Sequence, residues 1–138
     1  MAVRYFTVYG PRQRPDMGFS RFIAALRSGR ESEVYGDGKQ TRDFTYVSDA
    51  VAATIAAAEC EAAGEAVNVG GGSRVTVLEV LDLLGELAGT EPQIRFVESQ
   101  RGDVHDTGAD LTKAIRLLGY QPKVSLREGL AKQLAAHR

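Results

Sequence analysis

Two arginine-flanked turns hold most of the side chains in this sequence that suit a negatively charged ligand. In residues 4–17, RYFTVYGPRQRPDM, an apolar strand-like run stops at Gly10-Pro11 and arginines follow. In residues 35–44, YGDGKQTRDF, a Gly36-Asp37-Gly38 turn precedes Arg42. Glycine lets a backbone come close to a ligand, and the arginine fork suits bidentate grip on phosphate or carboxylate. Arg42 suits a phosphate, or else a helix C-terminus or a surface carboxylate. Tyr35, ending a strand, offers an aromatic face to a base or packs into a core. Arg101-Gly102-Asp103 is a third candidate, the arginine for phosphate and the aspartate for sugar hydroxyls, with a solvated turn as the alternative. His105 is a general base only if a partner is found for it; otherwise it belongs to the surface.

The elements that must carry these residues are short. A strand is expected over 3–9, rich in β-branched and aromatic residues. Phe19, Phe22, Ile23 and Leu26 recur at helical spacing, and Ser28-Gly29 ends that helix. A strand over 33–35 leads to the glycine turn. Ser48-Asp49 is expected to cap an alanine-rich helix running to about Ala63. Residues 66–69 read as a strand turning at Gly70-Gly71-Gly72. Thr76 and Glu79 form a capping box for a helix over 77–88, with Leu78, Leu81, Leu84 and Leu87 on its buried face. A strand over 93–97, a short helix over 111–118 behind Asp110, and a last helix opened by Ser125 and Glu128 complete the chain. The pattern is mixed α/β in a single modest core. The three-glycine turn lacks the G-x-G-x-x-G spacing and reads as structural. No tyrosine is expected to have a lysine four residues later, the spacing at which a lysine lowers a tyrosine's pKa for proton transfer.

Composition narrows the classes. With 138 residues, 43% hydrophobic, 25% charged and a net charge of −1, the chain lacks the basic excess of a dedicated nucleic-acid binder. Cys60 is the one cysteine and His105 and His137 the two histidines, which excludes a disulfide framework and leaves no zinc cluster to expect. No apolar run approaches the roughly 20 residues of a membrane span. No signal-peptide pattern opens the chain, so a cytoplasmic location is expected.

Four segments in order carry a resemblance: residues 4–17, residues 34–49 (VYGDGKQTRDFTYVSD), residues 68–75 with the following helix, and residues 101–109 followed by Leu118-Gly119-Tyr120-Gln121-Pro122. Together they resemble the C-terminal part of the extended short-chain dehydrogenase/reductase family, nearest to NAD-dependent epimerases acting on UDP-glucose or UDP-glucuronate. The resemblance implies the C-terminal lobe of a Rossmann-type enzyme, without its N-terminal dinucleotide-binding half. Residues 1–11 would be a late strand of the Rossmann sheet and residues 12–138 the substrate-binding lobe. It also implies that Arg42 and Arg101 hold the diphosphate of a UDP-sugar, Asp103 the ribose, and Tyr35 the uracil, whose edge meets the backbone of Glu33. Gly18 and Phe19 would lie by the phosphates, and Tyr5 and Val8 against the nicotinamide end of NAD. Thr7 stands where the family usually has asparagine; it is shorter and has no amide donor for the sugar. The motif Arg14-Pro15-Asp16-Met17 resembles the uronate-epimerase branch.

In such enzymes the sugar is oxidised at C4, rotates, and receives its hydride on the other face. With neither an NAD fingerprint nor a Tyr/Lys pair, this chain is expected to contribute binding, no catalytic residue and no metal site. The competing readings are a stand-alone nucleotide-sugar binding module, a truncated remnant without ligand function, and a decarboxylase or dehydratase of nucleotide sugars. The strand over 3–9, with no sheet upstream of it, is expected to pair with a separately encoded Rossmann half or a second copy, to rearrange, or to be disordered.

Overall fold

A computed structural model describes residues 1–99, 101–102 and 104–137. The elements run β1 (Ala2–Tyr5), β2 (Val8–Tyr9), α1 (Gly18–Ser28), β3 (Glu31–Tyr35), β4 (Thr41–Asp43), β5 (Thr45–Tyr46), α2 (Val47–Glu59), β6 (Ala66–Val69), β7 (Arg74–Thr76), α3 (Val77–Ala88), β8 (Gln93–Val97), α4 (Thr112–Leu118) and α5 (Leu126–Ala136). This is the expected α/β arrangement of short strands among helices. None of the described helices is long and apolar enough to cross a membrane.

Local chemistry sets most helix ends. Thr76 Oγ1 accepts from Glu79 N–H at 3.1 Å while Glu79 Oε2 accepts from Thr76 N–H at 2.6 Å, the reciprocal box that fixes the start of α3. Ser125 Oγ accepts from Glu128 N–H at 3.2 Å and opens α5. Gly29 closes α1 at φ 70°, its N–H directed back to the carbonyls of Ala25 and Leu26. The expected cap of α2 is corrected. The helix starts at Val47, with Asp49 already inside its first turn and buried. Asp49 accepts instead from Lys123 N–H at 3.1 Å and Val124 N–H at 3.2 Å, so a distant segment takes the carboxylate that local sequence assigned to capping. The same helix ends at Glu59, short of Ala63.

Strands pair with partners far along the chain. β1 lies parallel to β6 (Val3 opposite Val67), β2 parallel to β5, β3 parallel to β8 (Glu33 opposite Arg95), and β4 antiparallel to β7 (Arg42 opposite Val75). The expected strand over 3–9 is therefore two strands, and its neighbours come from downstream. The break falls at Phe6-Thr7. Phe6 N–H still donates to Val69 O at 2.9 Å, whereas Thr7 O accepts from Thr45 N–H at 2.9 Å, so the chain changes partner there. β1 thus is ordered and finds one strand partner within the chain, in β6. β4 and β7, three residues each, are too short to show a period and were not anticipated.

Two apolar clusters hold the elements. Tyr9, Phe19, Ile23, Leu26, Tyr46, Val80, Leu84, Leu130 and Leu134 join α1, α3 and α5 to β2 and β5. The ring of Tyr9 meets Phe19 edge-on at 5.1 Å and Tyr46 at 5.5 Å. Ala53, Val67, Val69, Ala114 and Tyr120 join β6 to α2 and α4. A fully buried leucine such as Leu84 or Leu130 contributes about 1.5–3 kcal/mol over its exposed state.

Candidate functional site

The first turn of α1 and the strand β3 border a cleft of about 460 Å3, within the usual size for a small-molecule site. Gly18, Arg21, Phe22, Glu33, Tyr35 and Gln40 are among its lining residues. All five residues of β3 line it, whichever face their side chains take, so the open edge of that strand borders the space. Backbone N–H and C=O groups along such an edge can read a planar heterocycle. The helix end opposite suits an anion. Met17 makes no side-chain cap bond, the first turn holds no acid, and nothing would lie within 4 Å of a Cβ at Gly18. A helix N-terminus with no acid in its first turn favours negative charge.

Three of the sequence candidates meet here: Gly18, Glu33 and Tyr35. Tyr35 is half-buried, and its carbonyl accepts from Gln40 Nε2 at 3.2 Å. The Glu33 carboxylate is paired with Arg95 across the strands and lies 3.7 Å from Arg21 of α1. Phe19 does not line the cleft; it is buried, with its ring against Tyr9 and Phe44. Arg42 stands outside the cleft lining, half-buried on β4. Its Nη1 donates to Thr41 O at 2.7 Å and to His105 O at 2.9 Å. That bond ties it to the segment that follows Arg101, which is exposed in a turn with Gly102. Asp103 lies outside the described residues. Tyr5 and Thr7 are exposed and Val8 half-buried along β1 and β2, and the Tyr5 hydroxyl bonds to Thr54 Oγ1. The structure thus makes two groups, one at the cleft and one on the first strands, with Arg42 and Arg101 on a connected third.

That third group has its own order. Thr41 N–H donates to His105 O at 3.0 Å, Thr107 N–H to Thr41 O at 3.1 Å, and Thr41 Oγ1 to Asp106 Oδ1 at 2.7 Å. His105 Nδ1 lies 3.1 Å from Asp106 Oδ2. The Asp106 contact raises the His105 pKa above its ordinary value, while His105 and then Thr41 hold the Asp106 carboxyl down to about 2. Stretches that sequence alone leaves as a loop are therefore laced to β4. His105 gains a partner, although an exposed one.

Several residues that order the site were not legible beforehand. Asp43, 2% exposed, accepts from Gly71 N–H at 2.6 Å and Ala109 N–H at 3.2 Å, joining β4, the glycine turn and the 104–109 segment. The structural reading of Gly70-Gly71-Gly72 follows from the same contact. A Cβ on Gly70 would come within 2.7 Å of both Ala109 and Asp43, and one on Gly71 within 2.1 Å of Phe44 O. Gln13 and Gln40 had no sequence signal. One expectation needs correction: Lys39 does follow Tyr35 by four residues. The two are separated by a turn in which Gly36 and Gly38 have φ of 63° and 72°, so they do not share a helical face. Burial and then Asp49 push the Tyr9 phenol above its ordinary pKa. With that pKa and its place in the core, Tyr9 is no candidate for proton transfer.

A model of the NAD dependent epimerase/dehydratase family matches residues 1–70. This chain belongs to that family. Among its relatives, an uncharacterised UDP-glucose epimerase of Bacillus subtilis is 42% identical over 134 residues, spanning 96% of this chain and 42% of its own length. UDP-glucuronic acid decarboxylase 1 of Arabidopsis thaliana is 38% identical over 98% of this chain and 31% of its own. The UDP-glucuronic acid 4-epimerase of Bacillus cereus, solved in complex with UDP-glucuronic acid and NAD, superposes with a TM-score of 0.94 at 42% identity. That match covers 97% of this chain and 43% of the epimerase chain. The family's fold is therefore present over nearly the whole of these residues, which span about two-fifths or less of the length of these relatives.

Proposed function

We propose that this chain supplies the nucleotide-sugar-binding lobe of an NAD-dependent UDP-sugar 4-epimerase, residues 12–138 forming the lobe and residues 1–11 the late strand of a Rossmann sheet. The observation that carries this is the cleft between the first turn of α1, which holds no acid, and the strand β3. It lies in a chain that superposes on an epimerase holding UDP-glucuronic acid. In this reading uracil stacks near Tyr35 with its edge on the backbone at Glu33. The diphosphate lies toward the amides of Gly18 and Phe19 with Arg42 and Arg101. Asp103 takes the ribose and Thr7 faces the sugar.

NAD would meet Tyr5 and Val8 with its nicotinamide end, but the three-glycine turn after β6 does not offer a cradle for its diphosphate. That turn is filled by Asp43 and Ala109. The redox half of the reaction then depends on a dinucleotide-binding half, in the same polypeptide or on a partner, and this chain's residues hold and orient the sugar nucleotide. A place for such a partner is open. Among the described strands β1 pairs only with β6, and beside it Tyr5, Val51 and Ile55 are about half exposed. A second copy is the other occupant proposed for that face.

Calorimetry with UDP, UDP-glucose and UDP-glucuronate tests the binding. Absence of heat with all three at millimolar ligand refutes it. Arg42→Ala and Arg101→Ala should each weaken binding by about 1.5–3 kcal/mol, the scale of a hydrogen bond to a charged group. Parent-like affinity in both removes them from the site. A decarboxylase reading is supported by relatives that are themselves decarboxylases, the Arabidopsis enzyme among them. Release of CO2 from UDP-glucuronate by the complete enzyme would decide for it.

A further inference from the structure

The turn at Gly10 is tied to the last helix by a buried amide network that the site reading does not use. Gln133 of α5 is 4% exposed. Its Oε1 accepts from Gly10 N–H at 3.0 Å, and its Nε2 donates to Gln13 Oε1 at 2.9 Å and Ser20 Oγ at 3.4 Å. Gln13 Oε1 also accepts from Ser20 N–H at 3.0 Å, and Gln13 Nε2 donates to Val8 O at 3.1 Å. Both side-chain amides are committed at each end, which fixes their orientation. Ser20 is the third residue of α1. Gln13 therefore caps the amide that Met17 leaves unserved, two residues beyond Gly18 of the cleft lining. The loop between holds Arg12 at φ 69°, a left-handed conformation that persists only where the surroundings impose it.

We propose that Gln133 is a positioning residue which, through Gln13, sets the 10–17 loop and the first turn of α1 against the nucleotide cleft. The inference rests on the cleft being a UDP-sugar site. Directional bonds suit this task better than apolar contact, because an amide fits only with donor and acceptor in the right places. A glutamate at 133 keeps the acceptor for Gly10 but turns a second acceptor on Gln13 Oε1. Gln133→Glu should thus be as disruptive as Gln133→Met, although it preserves shape.

The test compares the parent, Gln133→Met, Gln133→Glu and Val67→Ala, the last removing a buried side chain from the other core cluster. Amide hydrogen exchange is followed without ligand, and UDP affinity is measured well below the unfolding midpoint. Both Gln133 variants should exchange Gly10 and Ser20 amides at least about tenfold faster, while α3 amides shift no more than in Val67→Ala. UDP affinity should fall about tenfold in both and stay parent-like in Val67→Ala. Exchange rising uniformly over the chain, or not at all, overturns the proposal. So does local loosening with unchanged UDP affinity. Local loosening in a chain whose parent fails to bind UDP supports the loop-setting role of Gln133 and refutes the UDP-sugar reading instead.

Discussion

Replacing Asp43 by asparagine should loosen the structure around the third group of site residues more than its small change in shape suggests. The carboxylate is 2% exposed and accepts from Gly71 N–H at 2.6 Å through Oδ1 and from Ala109 N–H at 3.2 Å through Oδ2. Hydrogen bonds to a charged group contribute about 1.5–3 kcal/mol each. Asparagine retains one acceptor and turns an NH2 toward the other backbone donor, so one bond is lost and two donors face each other. The expected loss is about 2 kcal/mol for Asp43→Asn and about 3–5 kcal/mol for Asp43→Ala, in which both amides lose their partner. In a domain of this size 2 kcal/mol corresponds to a fall of about 6–10 °C in Tm. Urea denaturation followed by circular dichroism measures it directly, with the m-value checking that two-state behaviour survives. The second consequence is local. Ala109 closes the segment that begins near Arg101, so UDP affinity should fall as well. A loss under about 0.5 kcal/mol for Asp43→Asn would refute the view that this carboxylate fastens the segment.

Gly71→Ala should destabilise by about 3 kcal/mol, because its Cβ would lie 2.1 Å from Phe44 O, a backbone atom that cannot swing away; an unfolding midpoint equal to the parent's contradicts this. Thr76→Ala removes one half of the capping box of α3 and should cost about 1 kcal/mol in chemical denaturation, with Thr76→Ser largely preserving stability. The His105–Asp106 pair should give the 104–107 segment a pH window. Asp106 has a lowered folded pKa, so its contribution is present above about 3.8 and is lost as pH falls toward 2. His105 has a raised one, so its contribution is full below 6.5 and is lost as pH rises through the folded value. Attachment is then tightest between roughly pH 4 and 6.5. An NMR titration of His105 with a midpoint below 6.5 would reverse the sign and discard the window.

How far the fold could be read ahead depended on whether its cause was local. The start of α3 at Thr76 and Glu79 and the stop of α1 at Gly29 follow from side chains within four residues of one another and were legible. Of the expected leucine face of α3, Leu81 and Leu84 are buried, while Leu78 and Leu87 are half-buried and Val80 takes their place. Asp49 shows the opposite case. Its position beside Ser48 is that of a cap, yet backbone amides at Lys123 and Val124 claim its carboxylate. Nothing within a helical turn of Asp49 signals this. β4 and β7 were hidden for a related reason, since three residues cannot show alternation and each finds its partner far away along the chain. The cleft was partly legible. Tyr35 was named from its place at a strand end, Gly18 and Glu33 from the resemblance, while Arg21 and Gln40 enter only when α1 and β3 are placed side by side. Arg42 was named for ligand binding, and its bond to His105 O gives it a structural role that spacing did not reveal.

Pairing each strand with one far along the chain also decides when this protein can begin to fold. β1 has no partner until β6 has been made, β3 waits for β8, and Gly10 meets an amide 123 residues later. At synthesis rates of about 5–20 residues per second, that last wait lasts roughly 6–25 s. Tyr9 waits only for Tyr46 and Val3 for Val67, so the run from Val3 to Tyr9 is without its strand neighbours for the first part of that time. Non-local pairing of this kind slows the search for the native state. The clasp between Gly10 and Gln133 is therefore the last of these pairings that can form, after both strands of the first run have met their neighbours.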